Sequence, residues 1–248
     1  MKKLIVVLLV IVLVGCAPKE NCMAIEFDGN GNIDFGAIVN NQTIRTVSAW
    51  IYLDSVAAGK INNFVYHTGQ GWYFGADNDD LVFTQSFTTT AGQWARQNVL
   101  TTGLWHHIAV TYDGSLATND PVIYLNGETG AQYDANGSGT MGDDSDGRLW
   151  IGGYTGMGAG EGTDGKLQDV RVYNRILSAN EVSALYNSRC LRNVMNGLVF
   201  WAPMWGANTD TFEGNTLSAS ETVVDWIGGA VGVPAGSPIG RGNTFQGN

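Results

Sequence analysis

The chain of 248 residues holds 34 glycines, only 15% charged residues and a formal charge of −10. An acidic chain lacks the basic footprint that nucleic acid or an anionic lipid surface requires; its carboxylates suit solubility and oxygen-preferring cations such as calcium. The length allows one domain of about 165 residues and a further segment of about 60.

Residues 1–15 read as a signal segment outside any fold. Lys2 and Lys3 form a positive end, and Leu4 to Val14 is an unbroken apolar run. Such a run is too short to span a bilayer comfortably but right for a signal h-region. Its end, Leu13-Val14-Gly15-Cys16, resembles the lipobox of bacterial lipoproteins. That resemblance implies cleavage before Cys16, diacylglycerol on its thiol and acylation of its amine, and several acyl chains anchor firmly where one does not. Ala17 in place of Asp implies, by the same resemblance, the outer membrane of a two-membrane cell. The alternative is an ordinary secretion signal or membrane anchor with a chance cysteine. Residues 16–23 are then a tether, and loss of Lys2 and Lys3 leaves 11 basic against 23 acidic residues. Cys22 and Cys190 remain, in an exported chain where disulfides persist. A bridge between them would tie the domain's start to its end, but sequence does not fix their separation.

Strand signals follow in order. Ala24 to Phe27 is stopped by Asp28-Gly29-Asn30-Gly31, and Ile33 to Phe35 is a short second strand. In Thr46 to Leu53 the residues Val47, Ala49, Ile51 and Leu53 share one face, with Ser48, Trp50 and Tyr52 on the other. Bulk on both faces predicts a central strand. Phe64 to Tyr66 and Gly71 to Phe74 flank a glycine-rich turn, and Leu81 to Phe83 follows an acidic tip at residues 77–80. Trp105 to Tyr112 is the strongest strand; Pro121 to Leu125 ends in Asn126-Gly127, a strong hairpin signal. Leu149 to Ile151 follows the loop Asp143 to Gly147. The aspartates of that loop do not keep EF-hand spacing, since its twelfth position would be Gly153, so it reads as a solvated turn.

Residues 164–186 predict a strand, a turn and a short helix. Val170, Val172 and Tyr173 suit the strand. Ser178 followed by Glu181 is a capping box, with Leu177 and Val182 at the staple positions. Val182, Leu185 and Tyr186 recur at helical spacing. A two-turn helix is unstable alone, so it must lie on a sheet. Many short strands with one helix predict an all-β protein, two antiparallel sheets packed face to face.

The ordered pieces FDG (27–29), TVSAWI (46–51), WHHIAVTYDG (105–114), YLNG (124–127), LWIGG (149–153) and residues 164–186 resemble the laminin-G-like, concanavalin A-like jelly rolls, in a bacterial branch found in many secreted and phage proteins. The resemblance covers residues 24–188. It implies a jelly-roll β-sandwich with one short C-terminal helix, whose concave sheet or edge loops bind glycans, often beside a structural calcium. In calcium-binding relatives the places of Asp28, with Gly29, and of Asp169 supply oxygens to one ion; turn capping by Asp28, and solvent or a local salt bridge for Asp169, are the alternatives. The last 60 residues, 189–248, form an extension. Residues 197–203 resemble the strand that usually opens this family, which suggests permutation, with Leu198 to Trp201 filling a vacant edge. The start of a second domain is the alternative. Val233 to Asn248, rich in Gly, Pro, Ser and Asn, predicts a flexible tail.

Trp72, Tyr73, Trp94 and Tyr154 lie near glycine-rich turns and are the candidates for stacking on sugar, although tryptophans in a sandwich are mostly core. His106 and His107 are adjacent on a strand, point to opposite faces and cannot hold one metal. The residue beside the tryptophan reads as a core histidine bonded to backbone. The paired carboxylates of fold-related glucanases, E-x-D-x-E or E-x-D-x-x-E, have no counterpart among the seven glutamates. The expectation is a non-catalytic, envelope-displayed module that binds glycan. A protein-binding structural module and a divergent glycoside hydrolase are the alternatives.

Overall fold

The computed structural model describes residues 24–56, 61–69, 71–158, 160–203, 223–224 and 231–235. In chain order these form β1 (Ile25–Asp28), β2 (Asn32–Asp34), β3 (Ile44–Leu53), β4 (Ile61–His67), β5 (Trp72–Asp77), β6 (Asp80–Gln85), β7 (Gly92–Arg96) and β8 (Trp105–Asp113). Then come β9 (Val122–Leu125), β10 (Glu128–Thr129), β11 (Tyr133–Ala135), β12 (Leu149–Ile151), β13 (Asp164–Tyr173), α1 (Ala179–Asn187), β14 (Leu198–Ala202), β15 (Val223–Val224) and β16 (Val231–Ala235). Two sheets result. One runs β1-β13-β3-β8-β9-β10, with β14 also on β13; the other runs β11-β7-β6-β5-β4-β12-β2-β16-β15. The all-β jelly-roll expectation holds.

The alternation of β3 sets the sandwich. Val47, Ala49, Ile51 and Leu53 are buried and join a single core with Phe64, Phe74, Phe83, Trp94 and Ile151 from the other sheet. Central placement between β13 and β8 explains the bulk on the opposite side of β3. There Ala109, Tyr124, Tyr173 and Trp201 form a second cluster with Leu177, Val182 and Leu185 of the helix segment. The capping box is present: the Ser178 amide donates to Glu181 Oε2 at 2.8 Å, and the Glu181 amide donates to the Ser178 hydroxyl at 3.4 Å. Tyr186 leaves the expected apolar face; it sits at the rim, stacked 5.7 Å from Trp50.

Strand β13 is bent by a bulge. Its pairing with β3 shifts between Gln168 and Arg171, and Asp169 takes a left-handed φ of 53°, which bulges accommodate. Before the bulge β13 pairs with β1, from Ile25↔Leu167 to Asp28↔Asp164. Beyond it β13 pairs with β14, from Val170↔Ala202 to Tyr173↔Leu198. Two strands from opposite parts of the chain thus share one edge, and the expected edge-filling strand at 197–203 is β14. The expectation of a flexible tail from Val233 is corrected over its first residues: β16 pairs with β2, Val233↔Asp34 to Ala235↔Asn32. Residues 236–248 lie outside the described residues. The sequence reading also passed over β7, because Gly92 and Gln93 hide its alternation.

Asp169 is the node of this edge. Its Oδ1 accepts from Arg171 Nε at 2.9 Å and Trp201 Nε1 at 2.7 Å; its Oδ2 accepts from Arg171 Nη2 at 3.1 Å and the Cys190 amide at 2.8 Å. Arg171, wholly buried, also donates to the carbonyls of Leu191 and Asn193. Removing one partner of a buried ion pair strands the other, so Asp169→Ala is expected to lose about 3–5 kcal/mol in denaturant unfolding. The hydrogen bonds from Arg175 and from the Ser178 amide hold the Glu181 carboxyl down to about 2. A depressed carboxyl stabilises the fold above its unfolded value and loses that contribution as pH falls through its folded value. Glu181→Gln is therefore expected to cost about 1 kcal/mol at neutral pH. In thermal melts at descending pH, the gap to the parent should close between about 4.3 and about 2.

Candidate functional site

The outer face of the larger sheet carries one row of side chains set by register. Asp34 opposes Trp150, Trp150 opposes Tyr66, Tyr66 opposes Tyr73, Tyr73 opposes Thr84, and Thr84 opposes Gln93. Directly opposed residues point to the same side of a sheet. Their strand neighbours Ile33, Ile151, Val65, Phe74, Phe83 and Trp94 point into the core. The helix covers only the smaller sheet, so this row faces outward.

Three tyrosines form the centre. Tyr66 lies parallel to Tyr73 at 6.1 Å and to Tyr154 at 4.2 Å, each with a 12° interplanar angle. Tyr154 comes from the loop after β12. Gly152 starts that loop with φ of 84°, and a Cβ there would meet the Phe27 ring at 2.2 Å, so only glycine fits. The loop returns through Thr163, whose amide donates to the Gly152 carbonyl at 2.7 Å, and the Asn63 amide donates to the Glu161 carbonyl at 3.2 Å. All three rings are half-buried. Burial raises the Tyr66 hydroxyl's pKa, with the phenols of Tyr154 and Tyr73 adding to it. Burial likewise raises that of Tyr73. Both remain neutral hydroxyls that can donate and accept.

Beside the stack, Trp150 is 7% exposed and its Nε1 has no hydrogen-bond partner. Asn32, two residues from Asp34 and hence on the same face, is 4% exposed, and its Oδ1 is likewise unpartnered. Arg148 forks onto Asp34, with Nε 2.9 Å and Nη2 2.6 Å from Oδ2, and neutralises it. A separate cavity of about 650 Å³ opens beside Thr43, Leu116, Met141 and Asp143, but no aromatic ring lines it.

Of the four expected sugar-stacking residues, Tyr73 and Tyr154 come together here, joined by Tyr66, which the sequence reading missed. Trp72 and Trp94 do not. They are 2% and 0% exposed and belong to the core. Trp72 precedes Tyr73 on one strand and must face the other way; the buried Trp94 ring donates from Nε1 to Asp120 and Asn136 at 3.1 Å.

The expected calcium ligands are also separated. Asp28 opposes Asp164, five residues along the strand from Asp169, or about 16 Å. Asp28 Oδ1 accepts from the amides of Asn30 and Gly31, the turn-capping alternative, and the Gly29 amide donates to the Thr163 carbonyl. Both oxygens of Asp169 are occupied by protein donors. Asp28, Gly29 and Asp169 therefore do not fit one ion, and among the described residues no group of three or more His, Cys, Asp or Glu is placed to hold a metal. Asp144, expected in a solvated turn, is buried and accepts from the Asn41 amide at 2.7 Å.

The histidines are interior. His106 meets the Thr101 carbonyl at 3.1 Å and His107 meets the Ser48 hydroxyl at 2.9 Å. Burial, with Arg171 and Arg189 adding, holds His107 down to about 3. Cys190 is disulfide-bonded; its expected partner Cys22, and Cys16, lie outside the described residues. The division between interior tryptophans and surface tyrosines has a measurable consequence. Trp94→Ala is expected to lose about 3–5 kcal/mol of unfolding free energy, and Tyr66→Ala less than about 2 kcal/mol.

Comparison with known proteins agrees with this architecture. A family profile described as the concanavalin A-like lectin/glucanases superfamily matches residues 27–183. Among solved structures, a Bacteroides ovatus protein for which carbohydrate binding has been inferred aligns at 18% identity and TM-score 0.61. The alignment covers 91% of this chain and 62% of that one, so the present chain spans less than two thirds of that relative. The CBM40 module of a Ruminococcus gnavus sialidase, bound to α2,3-sialyllactose, aligns at 16% identity and TM-score 0.52, over 66% of this chain and 96% of that module. At such identities the likeness shows the fold alone. A search of curated protein sequences gives no match.

Proposed function

Because this chain belongs to the concanavalin A-like lectin/glucanases superfamily, we propose that it is a non-catalytic glycan-binding module whose site is the tyrosine row of the larger sheet. The observation that carries this reading is the stack Tyr154–Tyr66–Tyr73, neutral, half-buried and open outward. Shallow sites combine aromatic surface with a few placed polar groups, and here the tyrosine hydroxyls supply the polar part. The two relatives above, one associated with carbohydrate and one bound to a sialylated sugar, favour the same ligand class. Binding without hydrolysis is favoured because the chain lacks the glucanase carboxylate spacing, and the one carboxylate in the row, Asp34, is tied to Arg148.

The signal segment with Cys16 supports display on the bacterial envelope through a lipid anchor. Among the described residues no helix is long and apolar enough to cross a membrane.

A second reading, contact with protein, rests on the smaller sheet. Beyond the helix its outer face holds Trp50 and Trp105, with the Arg189 guanidinium 4.4 Å and 4.1 Å from their rings. Tryptophan, tyrosine and arginine dominate interface hot spots. A glycan array separates the two readings. Glycan binding predicts a saturable signal that Tyr66→Ala weakens by about tenfold or more, in a variant whose melt shows it folded. An array silent for the folded parent would instead favour the protein-binding reading.

A further inference from the structure

The proposed site also carries information about the shape and charge of its ligand, an inference that rests on the glycan reading. Trp150, Tyr66, Tyr73 and Thr84 stand on four adjacent strands in one register row. Adjacent strands are about 4.8 Å apart, so the row spans about 14 Å, the reach of about three linked pyranose rings. The row runs across the strands, and its polar atoms repeat once per strand.

Tyr66 is within 12° of parallel to both Tyr154 and Tyr73, and all three rings are half-buried. The phenols of Tyr66 and Tyr73 stand opposite one another on neighbouring strands of the row, and each hydroxyl can donate and accept. A ligand hydroxyl is the neutral group that meets such a partner, and a polyol supplies several in series.

Charge narrows the class further. Arg148 is the row's cation and already holds Asp34. Asp77 lies on the Tyr73 side of β5 and acts on the Tyr73 hydroxyl. An acidic sugar would meet these carboxylates with no uncommitted cation among the described residues of the row.

From these placements we infer that the site selects a neutral, extended oligosaccharide, bound across the strands through about three consecutive residues. The test is calorimetric titration of the full chain with neutral glucose, mannose and xylose oligomers of one to six residues, and with the galacturonic acid series. In whichever neutral series binds, affinity should rise by about tenfold or more from one residue to three and then level off. The acidic series should bind more weakly at every length. Tyr66→Phe, which keeps the ring and removes one hydroxyl, should weaken the trimer several-fold and the monomer less. Saturation at a single residue, or equal or tighter binding of the acidic series, would overturn this inference while leaving glycan binding intact. Silence across every series would remove the glycan reading and the inference together.

Discussion

The fold depends on one buried ion pair at a bulge. Asp169 and Arg171 lie on β13, two residues apart, and the left-handed turn at Asp169 lets both side chains enter one polar pocket. An isolated charge there would be costly, so each must be saturated. Asp169 takes donors from β14 and from the Cys190 segment, and Arg171 gives donors to the carbonyls of Leu191 and Asn193. The pair therefore dictates that the chain after the helix folds back onto the sheet. Strand β14 also pairs with β13 and buries Phe200 and Ala202 in the main core. Cation–π contact between Arg171 and Trp201, at 4.7 Å, fixes the same strand from its side-chain face.

That return path decides which surface is left for a ligand. The helix and the segment after it cover much of the outer face of the smaller sheet, under a cluster that includes Leu177, Val182 and Leu185. Among the described residues no helix lies over Tyr66 and Tyr73 on the larger sheet. Open aromatic surface on an acidic protein without basic patches suits an uncharged, hydroxyl-rich ligand better than an anionic polymer. The tyrosines are also suited as residue type: each combines an apolar ring with a hydroxyl that can donate and accept.

Much of the fold is legible in the sequence. The alternation in β3, the hairpin signal at Asn126-Gly127 and the capping box at Ser178 and Glu181 are local codes, each spanning a few residues, and each is realised. The opposite orientations of His106 and His107 followed from strand period alone. Less legible was the site. Trp72 and Tyr73 look equivalent in sequence, yet adjacent strand residues face opposite ways, and which one faces the core is fixed by the pairing of β4 with β5. Tyr66 carries no signal in its own segment; its importance is its position opposite Tyr73. Asp169 looks like a metal ligand only through the family resemblance; the local salt bridge to Arg171 is the alternative the structure realises. Its partners Trp201 and Cys190, more than twenty residues away, meet it only in the fold.

Sequence by itself determined the class of this protein: an acidic, glycine-rich β-sandwich with one capped helix, whose strand order resembles a lectin-like family. Those features are written in periodicity, turns and caps, which act over short stretches of chain. Tertiary structure alone decided that three tyrosines from β4, β5 and a loop stack into one row, that two tryptophans are interior, and that Asp169 serves an arginine. Each of those outcomes depends on which strands become neighbours and in what register, and a shift of one residue would turn every side chain of a strand to the other face.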